Sequence, residues 1–223
     1  LEHYEFRLVR EALAERDILL RNAPHIIWPL RFVLPHAGGL RPVWMIRAGL
    51  WLYDHLGWNP GRKSSLPRSH AVSLPDSSYG HGVRGDIKTG FLYSDCWVDD
   101  ARLVVLNVRD AADRGTVVHV RTSVDSARRR DGMWHARLTA GDGHLIDVKA
   151  RAVVNAAGPH ARSVGRLAGV DVPVDPYRRH IFIAQHFTSV VPPTRVLVID
   201  FETTFYFHRE GGAMLFGMGD PGE

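Results

Sequence analysis

Cysteine is almost absent from this 223-residue sequence, in which Cys96 stands alone. One thiol can form neither an intrachain disulfide nor a multi-cysteine zinc site. Lysine is nearly as scarce: of 28 basic residues only Lys63, Lys88 and Lys149 are lysines, and the rest are arginines. No run reaches the roughly 18 apolar residues that a membrane-crossing helix needs. The 13 histidines include no H-E-x-x-H pair, so no metal is expected, and no G-x-S-x-G elbow for a hydrolase nucleophile occurs. No internal repeat is visible.

What is present supports a folded core. Hydrophobic residues make up 45% and charged residues 23% of the chain, outside the range of disordered or fibrous sequences. The formal net charge is +4 and the isoelectric point about 9.5. Arginine suits anion recognition because its planar fork donates two parallel hydrogen bonds. The densest cluster, Arg128-Arg129-Arg130, runs into Asp131-Gly132 and reads as a turn, so nucleic acid is not an expected partner. Leu1 opens without a lead-in, and the chain stops directly after the apolar stretch 214–218, which reads as an excised fragment.

Apolar side chains at Phe6, Val9, Leu13 and Leu20 predict an amphipathic helix over 5–22. A proline-spaced connection through Pro24, Pro29 and Pro35 follows. Pro42 and Gly57 bracket a second helix, 43–56, which is apolar nearly all round. Two readings fit that rod: a buried core helix, or an interfacial helix carrying Trp44, Trp51 and Tyr53. Residues 58–90 read as a long surface loop. Its Gly80-His81-Gly82-Val83-Arg84-Gly85 matches G-x-G-x-x-G but lacks the preceding strand and following helix of a phosphate loop. A helix over 99–114 is capped by Asp99 and ended by Gly115. Then come a strand at 116–122, a hairpin meander over 124–150 with turns at 130–132 and Asp142-Gly143, and a short buried strand at 152–155. A helix starts at Pro159 and ends at Gly169, and strands are expected near 179–185, 195–201, 204–208 and 213–218.

The segment Val153-Val154-Asn155-Ala156-Ala157-Gly158-Pro159 carries the most chemistry. An apolar strand ends in residues with almost no side chain, and a helix follows at once. Such a corner lets a ligand approach the backbone, and a helix start offers N–H groups to a phosphate. A tight corner built only for packing is the other reading.

With its preceding meander, this segment resembles the second FAD-contact segment of D-amino-acid-oxidase-like flavoproteins. The first half of the chain resembles the FAD-dependent, quinone-linked glycerol-3-phosphate dehydrogenases. The resemblance rests on Leu1-Glu2-His3-Tyr4-Glu5-Phe6, Arg31-Phe32-Val33-Leu34-Pro35-His36, Arg41-Pro42-Val43-Trp44-Met45-Ile46-Arg47, Leu52-Tyr53-Asp54-His55-Leu56-Gly57 and the long block from Tyr93 to Leu103. It implies a mixed α/β fold: a partial Rossmann-like FAD-binding domain over 1–165 with a helical insertion, then the start of an antiparallel substrate (cap) sheet over 166–223. It implies FAD as cofactor, with Val124 at the adenine and Asn155, Ala156, Ala157 and Gly158 along the diphosphate and ribitol. His180 falls where the family keeps an active-site histidine; an exposed strand-end histidine is the other reading.

The implied reaction oxidises glycerol 3-phosphate to dihydroxyacetone phosphate, with electrons passing to quinone. The implied location is cytoplasmic, with peripheral contact to the inner face of the cell membrane through 43–56. Residues 165–170, 205–210 and 218–221 resemble instead the sarcosine-oxidase-like branch, which makes a secondary amine the alternative substrate. The family's Gly-rich FAD fingerprint lies nowhere in the 223 residues. A truncated, inactive fragment unable to hold FAD is therefore a third expectation.

Overall fold

The computed structural model describes residues 5–38, 41–56, 66–185 and 196–219. They form two compact units: residues 1–103 with 179–223, and residues 104–178.

The first unit is built on a seven-stranded sheet. Its strands are β1 (Ile27–His36), β2 (His70–Ser73), β3 (Thr89–Val98), β7 (Ile181–Ala184), β8 (Val196–Ile199), β9 (Tyr206–Glu210) and β10 (Ala213–Gly217), in the order β2-β3-β1-β8-β9-β10-β7. β1 and β3 pair antiparallel over their whole lengths, from Ile27↔Val98 to His36↔Thr89. β1 and β8 run parallel through Arg31–Val33. That one parallel contact qualifies the expected antiparallel sheet. The two compact units divide at 103/104 and 178/179, and strands from both ends of the sequence share one sheet.

β1 is the strand that the proline pattern concealed. Pro29 and Pro35 share a parity, so their nitrogens face the same side of the strand. β8 pairs only with the three residues between them, so neither proline has to donate to it.

Alternation along these strands puts Val33, Leu92, Val196, Val198 and Phe207 on one face, where with Leu74 they form the buried core. The expected loop 58–90 proves partly structured. Residues 70–73 form β2, Leu74 is buried, and Tyr79, Val83 and Ile87 pack over the core; 57–65 lie outside the described residues. A Cβ on Gly80 would sit 2.1 Å from the Leu74 carbonyl oxygen, so this first glycine of the G-x-G-x-x-G match serves close backbone packing.

Two helices belong to this unit, α1 (Phe6–Asn22) and α2 (Val43–Leu56), both where the sequence predicts them. The buried-core reading of α2 fails: none of its residues is buried, and Trp44 and Trp51 are 68% and 62% exposed. The attachment is polar instead. Tyr53 Oη donates to the Ser94 carbonyl oxygen at 3.2 Å, and Asp54 accepts from the Ser69 N–H and hydroxyl, each at 2.8 Å.

α3 (Asp100–Asp113) starts as predicted, with Asp99 Oδ1 accepting the Arg102 N–H at 3.1 Å, and it ends at Gly115 with φ +94°. In the second unit, β4 (Ser123–Arg130), β5 (Met133–Thr139) and β6 (Leu145–Ala150) form the expected meander. Asp131 (φ 50°) and Gly132 (φ 76°) make its first turn, and Gly143 (φ 89°) lies in the second. Ala127 is buried, and α4 (Ala161–Leu167) packs against β4.

The strands expected at 116–122 and 152–155 do not form. Val117 and Val120 are each 76% exposed, and Val154 is 86% exposed. A run of valines supplies β-propensity, but a strand also needs a ladder partner, and the three-strand sheet here pairs β4 and β6 only with β5.

Candidate functional site

Five of the six residues singled out by sequence lie in the second unit. Asn155 shapes the corner rather than presenting its side chain outward. Its Nδ2 donates to the Ala161 carbonyl at 2.8 Å, and its Oδ1 accepts the Ala157 N–H at 3.3 Å. The side chain thus spans the turn and ties its two arms together. Ala156 and Gly158 are exposed on the outside and Ala157 is half-buried. Gly158 has φ +52°, and nothing lies within 4 Å of where its Cβ would be.

The helix start differs from the expectation. A 3-10 turn, Gly158–His160, precedes α4, which is seven residues long. The His160 N–H bonds to the Ala157 carbonyl at 3.0 Å, and the Ala161 N–H bonds to Gly158. These donors are therefore not aimed outward as a phosphate cradle. The corner instead offers an open shelf of small residues, which leaves room for the flank of a flat cofactor. Val124 is 41% exposed and precedes a bulge between Val124 and Ser126 in β4, which frees local backbone from the ladder.

His180 belongs to the first unit, immediately before β7, and it is exposed. Its ring stacks on Phe182 (centroids 6.2 Å apart, planes at 26°), and Phe182 stacks on Phe216 at 5.5 Å across the β7–β10 pair. An aromatic row therefore orients the imidazole.

The sequence left open which arginines could meet an anionic substrate, and the structure narrows the choice. Arg16 Nη1 donates to Tyr53 Oη at 2.9 Å and to the Ser94 carbonyl at 3.3 Å, with Asp95 at 3.8 Å. Arg31 donates to Ser94 Oγ and, at 3.1 Å, to the Pro67 carbonyl, while the Ser94 hydroxyl donates to the same carbonyl at 2.7 Å. Ser94 is 4% exposed. Both guanidinium groups are thus committed to joining α1, α2, β1 and β3. Only tertiary pairing could reveal this, because the partners lie 36 to 78 residues apart.

Burial, with a further contribution from the Asp95 carboxylate, pushes the Tyr53 phenol up to about 12, and Arg16 opposes the shift. Burial also raises Tyr93, and takes the Cys96 thiol up to about 11, so Cys96 is held as a packed, protonated thiol. A folded-state value above the unfolded one stabilises the neutral form. That contribution is complete below pH ~9–10 and is lost as pH rises through the folded values. The denaturant midpoint should therefore fall between about pH 9 and 12. Tyr53→Phe should flatten the upper part of that fall, and an unchanged slope in the variant would contradict the assignment.

Among the described residues no helix is long and apolar enough to cross a membrane, and no cluster of three or more His, Cys, Asp or Glu could hold a metal ion.

Residues 1–223 match the family model described as FAD dependent oxidoreductase. The chain is 59% identical over 159 residues to a glycerol-3-phosphate dehydrogenase of Pseudomonas aeruginosa, covering 71% of this chain and 30% of that protein. It is 51% identical over 160 residues to the aerobic glycerol-3-phosphate dehydrogenase of Escherichia coli, with the same coverages of 71% and 30%. To the D-erythritol 1-phosphate dehydrogenase of Brucella abortus it is 52% identical over 165 residues, 74% of this chain and 32% of that protein. The alignments thus take in about a third of the length of these curated relatives. Among solved structures, the glycerol-3-phosphate dehydrogenase of Bacillus halodurans complexed with FAD superposes with a TM-score of 0.61 at 17% identity, over 92% of this chain and 37% of that one. An L-amino acid deaminase of Proteus myxofaciens superposes with a TM-score of 0.60 at 15% identity, over 92% and 45%. These likenesses support the mixed α/β fold. With the family match over its whole length, the chain belongs to the FAD dependent oxidoreductase family.

Proposed function

We propose that this chain is part of an FAD-dependent dehydrogenase of polyol phosphates, with glycerol 3-phosphate as substrate. The observation that carries this reading is the 59% identity to a glycerol-3-phosphate dehydrogenase. The Brucella relative is named for D-erythritol 1-phosphate, another phosphate monoester of a polyol. Both names favour oxidation of an alcohol over oxidation of a secondary amine.

The second unit would hold the cofactor. Ala156, Ala157 and Gly158 would lie along its diphosphate and ribitol, and backbone next to Val124 would lie at its adenine. Asn155 would act through the turn it closes. The first unit would present the substrate-facing sheet. Bound FAD supplies a hydride acceptor. His180 would take the hydroxyl proton of the substrate at an imidazole nitrogen as C2 loses its hydride, leaving dihydroxyacetone phosphate. Electrons would leave for a quinone. The exposed Trp44 and Trp51, with Arg47 between them on α2, would rest at the cytoplasmic face of the membrane.

A visible spectrum of the purified chain with added FAD tests the first step. A perturbed, protein-bound flavin spectrum is expected, whereas a spectrum identical to free FAD would sink cofactor binding by this chain. Bleaching by glycerol 3-phosphate with an artificial acceptor, and not by sarcosine, is the expected second result. Flotation with liposomes tests α2, and failure to co-float would reject the membrane contact.

A further inference from the structure

The Arg128–Arg130 cluster, which the flavin reading does not use, turns out to be one edge of a basic sheet face. Side chains alternate along the meander, and cross-strand register aligns Arg128 with His135 and His135 with Lys149, and Arg137 with Asp147. Arg128, Arg130, His135, Arg137 and Lys149 therefore share one face with two carboxylates, Asp147 and, at the bulge, Asp125, which accepts from the Ser123 and Thr139 hydroxyls. The basic residues and Asp147 line a groove of about 700 Å³. The opposite face carries Ala127, Trp134, Ala136, Leu138, Ile146 and Val148, with Arg129 beside Trp134 at its end, so it is mainly apolar.

Asp147 is engaged by Arg137 Nε at 3.0 Å. Arg128, Arg130 and Lys149 are exposed and make no ion pair or side-chain hydrogen bond among the described residues. Like charges gathered on one face of the sheet repel one another, at a cost to it. An anionic occupant would remove that cost.

The geometry points to one kind of occupant, and we propose that this face binds an acidic protein segment in extended conformation, with Asp or Glu at alternate positions. Residues two apart on a strand are about 6.6–6.8 Å apart. The Arg128–Arg130 and His135–Arg137 spacings therefore match carboxylates two apart on an extended partner. Guanidinium forks take carboxylates bidentately. The surface is grooved, which suits an inserted chain better than a flat bilayer. It also carries no Phe, Tyr or Trp on which nucleic-acid bases could stack.

The test uses the 223-residue chain and two fluorescent peptides of identical composition, one alternating Glu and Ser, the other with all Glu before all Ser. Anisotropy at low salt should show the alternating peptide binding about tenfold or more tightly than the block peptide, whose consecutive carboxylates point to both sides. Arg128→Glu/Arg130→Glu should weaken the alternating peptide by about tenfold or more, and Arg128→Gln/Arg130→Gln by less, with Lys149→Glu also weakening it. Equal binding of the two peptides would overturn the proposal, because net charge alone would then suffice. So would variants that leave affinity unchanged. Phosphatidylglycerol vesicles or a single-stranded oligonucleotide that bind as tightly, and are lost equally in the variants, would replace the peptide by a membrane or nucleic acid. The comparison of the two peptides on the unmodified chain stands even if a variant fails to fold.

Discussion

Leu92→Ala should lower the unfolding free energy by about 2–5 kcal/mol, the range for removing a buried leucine side chain beyond Cβ. Leu92 is fully buried on β3, facing Val33 of β1 and His70 of β2 in the ladder. Both neighbours are held by paired backbone, so the cavity has little means of collapsing. The space above is set as tightly: a Cβ on Gly90 would lie 2.8 Å from Leu74 Cδ2. The matching control is Val105→Ala on α3, where the side chain is 64% exposed and the change should stay within about 0.5 kcal/mol. Urea unfolding of the two variants decides the matter. A Leu92 variant as stable as the control would mean that this face of the sheet is not the core.

His180→Ala should lower turnover of glycerol 3-phosphate by about 10²–10⁴-fold in the flavin-loaded protein, the usual contribution of a positioned general base. Flavin content should change little, since the cofactor-facing candidates belong to a different unit. The stack His180–Phe182–Phe216 adds a second expectation. Phe182→Leu keeps an apolar side chain on β7 but removes the ring that orients the imidazole, so it should reduce turnover by a smaller factor than loss of the histidine. Turnover within twofold of the unmodified protein in the alanine variant would leave His180 as an exposed strand-end histidine.

Local chemistry was legible in the residues. α1, α2 and α3 were readable because periodic apolar positions meet their capping residues, as at Asp99 and Gly115. The meander was readable because Asp131-Gly132 and Asp142-Gly143 demand positive φ between alternating strands. The small-residue corner at 155–158 was visible as well, and its family likeness pointed to FAD. Errors arose where the decisive partner is remote. Pro29 and Pro35 concealed β1, because a local reading cannot know which side of a strand will go unpaired. The valines at 117, 120 and 154 promised strands that found no ladder. The apolar length of α2 suggested burial, but the helix is fastened by Tyr53 and Asp54 instead.

By itself, the sequence determined the helices, the turns, the small-residue corner and the family, because each depends on side chains within a few residues of one another. Only the tertiary structure decided that the two ends of the chain share one sheet. It also committed Arg16 to holding α1 and α2 on that sheet and Arg31 to tying β1 to β3 and Pro67, and gathered a basic face on the meander. Each of these depends on hydrogen-bond ladders between distant segments, and a ladder's register is set by both strands together.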